Sequence, residues 1–263
     1  MPEPVIRLSL RYYCRFPDDG REMREADCRY AEAVWDLRLG HIALVCVDVW
    51  DRDIHADMRE IDDRVTRRRI VPVVEACRRH GLQVVHAPSP PVARRSPNWL
   101  NLVAGEQPRS SRPDSPDWPG DEFRGKTGPY AAYSRPEDPV RMQLFQDVGR
   151  ADFHERLRPI DDEAVIATGE ELHRLCARRG ILHLLYAGFH TPGCMTNRSY
   201  GIPQMLARGY TCILLRDCTN GMETHETFAD KTCLRGAIAF LEQTGVYTMA
   251  SDELIAALKQ ATG

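Results

Sequence analysis

One cysteine occupies a position that suits nucleophilic chemistry. Cys194 ends the run Gly-Phe-His-Thr-Pro-Gly-Cys at residues 188–194, which joins an apolar, strand-like segment to a predicted helix. A thiol in the first turn of a helix faces the positive end of the helix dipole, so we expect a lowered pKa that favours the thiolate. The backbone N–H groups of Gly193 and Cys194 would be free there to hold an oxyanion. The pattern favours an acyl-transfer nucleophile over the alternative, a buried structural cysteine.

An aspartate stands at the end of another apolar segment. Asp48 follows the run His-Ile-Ala-Leu-Val-Cys-Val at residues 41–47, which is typical of a parallel strand buried on both faces. A carboxylate at that strand end could accept the thiol proton of Cys194 as a general base. The alternative is a polar residue that only caps the strand. Side chains predicted to contact a substrate follow the same group of strands: Trp50, His86, Phe189 and His190.

The elements that must position these residues alternate between strands and helices. Strands are predicted at residues 41–48, 82–87, 163–167, 181–188, 210–215 and 246–249. Helices are predicted at residues 169–179, 194–208 and 224–243, and from Ser251 onward. This alternation predicts an α/β fold with a doubly wound, mostly parallel six-stranded sheet in the order 3-2-1-4-5-6 and helices on both faces. Ligands of such sheets bind beyond the carboxyl ends of the strands, where Asp48 and Cys194 stand.

The chain is predicted to have one main domain with two additions. Residues 1–40 mix aromatic and charged side chains and are interpreted as an N-terminal arm that packs on the domain or on a partner subunit. Residues 41–263 form the main domain. Frequent prolines at residues 88–162 indicate a long inserted loop region that closes over a small-molecule substrate. The arm leads us to expect a homo-oligomer, a dimer or larger.

Composition excludes several classes of function. The 263 residues carry a formal net charge of −3, whereas a nucleic-acid partner would require a strongly basic face. No segment approaches the length of apolar sequence that spans a membrane, and the first residues do not resemble a signal peptide. The nine cysteines lack Cys-x-x-Cys pairs and are predicted to be reduced thiols. We therefore predict a cytoplasmic protein with neither a nucleic-acid nor a membrane partner.

These segments resemble the motifs of the isochorismatase-like cysteine hydrolases. The run Asp-Val-Trp-Asp at residues 48–51 is similar to the family's Asp-x-Gln-Asn/Asp motif, and residues 188–194 resemble its Gly-Val-x-x-x-x-Cys loop. The resemblance runs from about residue 42 to residue 258. It implies a six-stranded parallel sheet, a catalytic triad of Asp, Lys and Cys, and a cis peptide bond between Phe189 and His190. The family includes nicotinamidases, carbamoylsarcosine-type amidases and true isochorismatases.

The lysine that the resemblance implies is missing from its usual place. After the strand at residues 163–167 the chain continues Thr-Gly-Glu, and Trp50 replaces the usual Gln. Lys126 is the candidate substitute, because the run Lys-Thr-Gly-Pro-Tyr-Ala-Ala-Tyr at residues 126–133 is similar to a Lys followed by Ser-Ala-Phe in the family. The alternative is a solvated loop lysine.

No cofactor and no metal are predicted. Nicotinamidases of the family carry an Asp-x-His plus His site after the second strand, where this chain reads Pro-Ser-Pro-Pro at residues 88–91. Asp51, Asp53 and His55 have the composition of such a site, and whether a metal binds near them stays open at this point.

The predicted function is hydrolysis of a C–N bond in a small amide, carbamoyl or ureido compound. Cys194 would attack, Asp48 would move the proton, and water would release the acyl group. Two alternatives stay open. One is a non-catalytic binding or assembly protein on the same scaffold. The other is an acid–base hydrolase of a vinyl ether, as in true isochorismatases, in which Asp48 acts and Cys194 is incidental.

Overall fold

A computed structural model describes residues 3–17, 21–53, 55–103, 118–136 and 138–261. The strands are β1 (Val5–Cys14), β2 (Arg29–Arg38), β3 (Ile42–Val47), β4 (Gln83–Ala87), β5 (Ala164–Val165), β6 (His183–Gly188), β7 (Thr211–Thr219) and β8 (Tyr247–Met249). The α-helices are α1 (Ala56–Val65), α2 (Val71–His80), α3 (Pro90–Ala93), α4 (Asp121–Gly125), α5 (Asp138–Arg150), α6 (Gly169–Arg179), α7 (Cys194–Asn197), α8 (Ile202–Ala207), α9 (Thr232–Gln243) and α10 (Ser251–Ala261).

One mixed sheet of eight strands forms the centre, in the order β2-β1-β8-β7-β6-β3-β4-β5. The strands from β3 to β8 pair in parallel, and they follow the predicted order 3-2-1-4-5-6. Alternate residues of β3 face opposite sides of the sheet, so Leu44 packs in one apolar cluster and Val45 in the other. Burial on both faces explains why β3 is a continuous apolar run.

The predicted number of strands is wrong, because the N-terminal residues add two more. β1 and β2 form an antiparallel hairpin, and β1 also pairs antiparallel with β8. Ile6, Leu8 and Leu10 are fully buried and alternate with exposed residues, the period expected of a strand with one covered face. The residues interpreted as an arm therefore extend the sheet.

The helices depart from the prediction in two places. The helix predicted at residues 194–208 is divided into α7 and α8, because the backbone is extended at Arg198 and again at Gly201. The helix predicted from residue 224 begins only at Thr232. The carboxylate of Glu223 accepts hydrogen bonds from the backbone N–H groups of Cys233 and Leu234, and so holds the first turn of α9.

The region at residues 88–162 contains α3, α4, a 3-10 helix (Gly128–Tyr133) and α5 within the part that the structure describes. An isolated antiparallel bridge between Trp50 and Phe153 joins this region to the segment after β3, and the chain re-enters the sheet at β5. Residues 104–117 and 137, which belong to the predicted loop region, lie outside the described residues. In the ranges given above, no helix has the length and apolar character required to cross a membrane.

Candidate active site

The ends of β3 and β6 meet more closely than a side chain on Gly188 would permit. Gly188 has φ of +121°, and a Cβ on it would lie 1.9 Å from the carbonyl oxygen of Val47. The Phe189 N–H donates to that same oxygen at 2.9 Å. The peptide bond between Phe189 and His190 is cis, as the resemblance implied. This close approach places the segment that carries Cys194 against the end of β3, which precedes Asp48.

Asp48 is held in an unusual and buried position. It is 2% exposed and has a φ of +46°, which is rare for a residue other than glycine. Neither carboxylate oxygen receives a hydrogen bond of normal geometry from the described residues, although Cys194 and Ser89 lie close enough to favour its ionised form. Burial raises the pKa of Asp48, whereas the guanidinium of Arg198 acts in the opposite direction. The nearby cation therefore favours the ionised carboxylate that a general base requires.

Arg198 supplies a cation where the expected lysine is absent. Its Nε lies 3.6 Å from Oδ2 of Asp48, and its side chain also donates a short hydrogen bond to Oγ of Ser89. Burial opposes the charged guanidinium, but Asp48, Tyr200 and Cys194 together outweigh burial and raise the pKa of Arg198. The sequence interpretation missed this residue. Its position four residues after Cys194, about one helical turn, is the signal that could have found it.

A different residue occupies the segment where the family's lysine would stand. Glu171 is fully buried, and its carboxylate accepts hydrogen bonds from the backbone N–H groups of Ala167 at 2.6 Å and Thr168 at 3.1 Å. Thr168 in turn accepts from the Glu171 N–H, which completes a capping box at the start of α6. This segment therefore serves helix capping.

Cys194 lines the same cavity as Asp48. The lowered pKa expected of its thiol is not found. Burial and the charge of Asp48 raise the pKa of Cys194 to about 12, and Arg198 offsets only part of this. The short helix α7 has few aligned peptide dipoles to oppose burial. The resting cysteine is therefore a neutral thiol beside a base rather than a stable thiolate.

The two predicted oxyanion donors differ in availability. The Gly193 N–H donates to the carbonyl oxygen of His190 at 2.9 Å, so it is not free. The Cys194 N–H makes no backbone hydrogen bond to another described residue. The Cys194 amide is therefore the donor that the resting structure leaves available for an oxyanion.

His190 is fixed by a network that joins α1 to the end of β7. Its Nε2 lies 2.8 Å from Oδ2 of Asp62, and Nδ2 of Asn220 donates to Oδ1 of Asp62 at 2.8 Å. The neighbouring Thr191 donates its N–H to the carbonyl oxygen of Asn220 at 3.0 Å. These contacts hold the loop after β6 in place.

A cavity of about 310 Å³ opens at these strand ends. Trp50, Phe189, His190, Asp48 and Cys194 all line it, so the structure brings together most of the residues predicted from the sequence. Three predicted residues are not among its lining: Gly193, His86 and Lys126. His86 is buried and its Nε2 pairs with the Glu163 carboxylate at 2.8 Å, and the Lys126 ammonium lies 3.4 Å from the centre of the Phe123 ring.

One group of side chains in this cavity has the composition of a metal site. Potential ligand atoms of Asp53, Asp62 and His190 lie within 4.8 Å of one another. This group includes one of the three residues suggested from the sequence, Asp53, but neither Asp51 nor His55.

Comparison with known proteins identifies a family model and similar folds. A model of the isochorismatase domain matches residues 42–248. A cysteine hydrolase from Pseudomonas syringae pv. phaseolicola 1448A superposes with a TM-score of 0.57 at 16% identity, covering 86% of this chain and 96% of that one. An isochorismatase family protein from Desulfovibrio vulgaris subsp. vulgaris str. Hildenborough gives 0.51 at 17%, covering 83% and 98%. At such identities the likeness concerns the fold. A search of curated proteins found no match.

Proposed function

Because the chain belongs to the isochorismatase family, we propose that it is a cysteine-dependent hydrolase of the C–N bond in a small amide, carbamoyl or ureido compound. The observation that carries the proposal is the pairing of a thiol and a buried carboxylate at one cavity, Cys194 and Asp48. The guanidinium of Arg198 lies beside that carboxylate, 3.6 Å from Oδ2 of Asp48. In this proposal, Arg198 replaces the family's lysine as the cation beside the general base, Asp48.

The first half of the reaction forms a thioester. As the Cys194 sulfur attacks the substrate carbonyl carbon, its proton passes to the Asp48 carboxylate, so no free thiolate is needed. The Cys194 N–H donates to the oxygen that becomes negative. Asp48 then gives the proton to the leaving nitrogen, the C–N bond breaks, and ammonia or an amine departs. The second half is hydrolysis, in which Asp48 accepts a proton from water and returns it to the Cys194 sulfur.

The test is a panel of primary amides, N-carbamoyl compounds and ureido compounds, with ammonia release as the readout. We expect at least one class to be hydrolysed and Cys194→Ser to abolish the activity. Cys233→Ser is the matched control, because Cys233 is partly exposed on α9 and outside the cavity lining. If the folded wild-type protein releases no ammonia from any member of the panel, the proposal is wrong.

One observation supports a second candidate function, the hydrolysis of a vinyl ether. Burial raises the pKa of Asp48, and a protonated carboxyl group could donate its proton to a vinyl ether carbon. The two candidates differ in their need for the thiol. Cys194→Ala should keep the hydrolysis of isochorismate under the second candidate, but it should remove all amide hydrolysis under the first.

A further inference from the structure

The cavity carries more negative charge than the proposed reaction uses. Six carboxylates and two guanidinium groups line it. Asp51 pairs with Arg52, and Asp63 pairs with Arg67. Asp48 pairs with Arg198. The other three carboxylates of the lining have no arginine or lysine partner among the described residues: Asp53, Glu60 and Asp62.

Asp53 and Asp62 are the more buried of these carboxylates. Their side chains are 11% and 15% exposed. Asp53 accepts from the His55 N–H at 2.9 Å, and Asp62 accepts from Asn220 and pairs with His190. The His55 ring also faces Asp53, with Nδ1 3.5 Å from Oδ1. These contacts orient the two carboxylates, yet neither pairs with an arginine or lysine in the described part of the chain. A negative charge held in a cavity, away from bulk water, attracts a cationic ligand.

A second, independent feature also indicates that a ligand completes this cavity. The indole N–H of Trp50 is buried without an acceptor among the described residues. The buried Asp48 carboxylate has Arg198 beside it at 3.6 Å, but neither of its oxygens receives a hydrogen bond of normal geometry in the described ranges. Buried polar groups rarely stay unsatisfied. A ligand that offers an N–H to the carboxylate and an oxygen to the indole would satisfy both, and an amide or ureido group has these two parts.

The aromatic lining distinguishes an organic cation from a metal ion. Trp50 and Phe189 both line the cavity, and aromatic rings attract ammonium and guanidinium groups. A metal ion on Asp53, Asp62 and His190 would have to displace the hydrogen bond between His190 and Asp62. The volume of about 310 Å³ also suits a small organic molecule.

We propose that the substrate is a small amide or ureido compound that carries an ammonium or guanidinium group, bound by Asp53 and Asp62. This inference rests on the proposed hydrolase function, because it takes the scissile group to lie at Cys194. The charged end of the substrate then lies toward α1, and the rings of Trp50 and Phe189 cover its connecting carbons.

The experiment compares three primary amides of similar length: 4-aminobutanamide, which is cationic, pentanamide, which is neutral, and succinamate, which is anionic. We expect kcat/KM for the cationic amide to exceed that for pentanamide by about tenfold or more, with succinamate the poorest. Asp53→Asn should reduce this preference for the cationic amide by about tenfold, mainly through KM. Asp57→Asn is the matched control, because Asp57 is an exposed residue of α1 outside the cavity lining, and it should retain the preference.

Binding to the Cys194→Ser protein separates this inference from the proposed function. We expect butylammonium and butylguanidinium to bind in calorimetry, with butanol and butyrate giving no signal. Cation binding without turnover of any amide would support the charge inference and refute the hydrolase. Turnover that favours neutral or anionic amides would refute the charge inference and leave the hydrolase intact. A preference that disappears with EDTA and returns with Mn²⁺ or Zn²⁺ would show a metal ion on these carboxylates and would also overturn the inference.

Discussion

The Nε atom of Arg198 lies 3.6 Å from Oδ2 of Asp48, and this pair links the loop after β6 to the end of β3. The carboxylate is almost fully buried, so its ionised form depends on a nearby positive charge. Arg198 is the residue that supplies this charge. The cation beside Asp48 therefore comes from the segment that carries Cys194. The helix-capping segment before α6, where the family's lysine would stand, supplies no cation.

Replacing Arg198 should impair the reaction more than the fold. We expect Arg198→Met to lower kcat/KM by about a hundredfold, or about 2.7 kcal/mol of transition-state stabilisation, since Asp48 then loses its stabilising charge. Arg198→Lys should recover part of this loss, because it restores the positive charge but not the planar guanidinium group with its several N–H donors. Arg208→Met, at a surface ion pair with Glu170, is the control and should behave as wild type. Wild-type rates for Arg198→Met would contradict this role.

The pH dependence of kcat/KM should separate an electrostatic role for Arg198 from a merely structural one. Burial raises the pKa of Asp48, so activity should fall as the pH drops through a value above the ordinary aspartate pKa of about 3.9. Arg198 lowers that pKa, and its removal should therefore move the acid limb of the profile to higher pH. A pH–rate profile of Arg198→Met that is lower but not displaced would argue against the electrostatic role.

The fold of the main domain could be predicted because its strands have a recognisable local sequence pattern. β3 and β6 are apolar runs bounded by polar or glycine residues, and buried parallel strands have this pattern. β1 was missed although Ile6, Leu8 and Leu10 alternate correctly, because exposed aromatic and charged residues surround them. Whether such a segment joins a sheet edge depends on the space beside β8, which no local pattern encodes.

The candidate site was only partly predictable for a related reason. Asp48 and Cys194 follow strand ends, so topology alone places them together. The pKa of Cys194 depends on how deeply the thiol is buried, and spacing along the chain does not reveal burial. Lys126 has a suggestive local context, yet its ammonium lies on the Phe123 ring. Arg198 belongs to no motif, and its spacing of four residues from Cys194 gains meaning only once its distance to Asp48 is known.

The expected homo-oligomer stays a prediction, and the N-terminal hairpin suggests where to test it. β2 lies at the edge of the sheet, with Tyr30 46% exposed and Val34 53% exposed. We expect light scattering to give at least about 60 kDa, twice the 29.9 kDa of one chain. Val34→Glu should shift the protein toward the single chain, whereas Val140→Glu, at an exposed position on α5, should not. A wild-type mass near one chain would refute the expectation.

Glu163 should make the stability of the protein depend on pH. Burial alone would raise the pKa of Glu163, but hydrogen bonds from Arg78 and His86 prevail and lower it to about 2. A depressed pKa stabilises the folded state above the unfolded value of about 4.3, and this stabilisation is lost as the pH falls toward 2.

We therefore expect Glu163→Gln to reduce the free energy of unfolding near neutral pH by on the order of 3 kcal/mol, with the difference from wild type shrinking steadily below about pH 4. Urea denaturation at several pH values measures this difference. Glu155→Gln, at an exposed ion pair with Arg67, is the comparison and should show a much smaller effect. A loss at Glu163→Gln that is the same at every pH would indicate packing rather than ionisation.

The close approach of β3 and β6 should make Gly188 intolerant of any side chain. An alanine Cβ there would lie 1.9 Å from the carbonyl oxygen of Val47, at a φ of +121°. The strands would have to separate, so we expect Gly188→Ala to cost on the order of 3 kcal/mol or more and to impair hydrolysis by displacing the segment that carries Cys194. Gly245→Ala is the matched control, since Gly245 has φ of +99° and no heavy atom within 4 Å of the added Cβ. Gly245→Ala should therefore reduce the free energy of unfolding only by the backbone strain, about 1 kcal/mol. Equal losses of unfolding free energy in the two variants would mean that strain alone, rather than contact with Val47, makes Gly188 necessary.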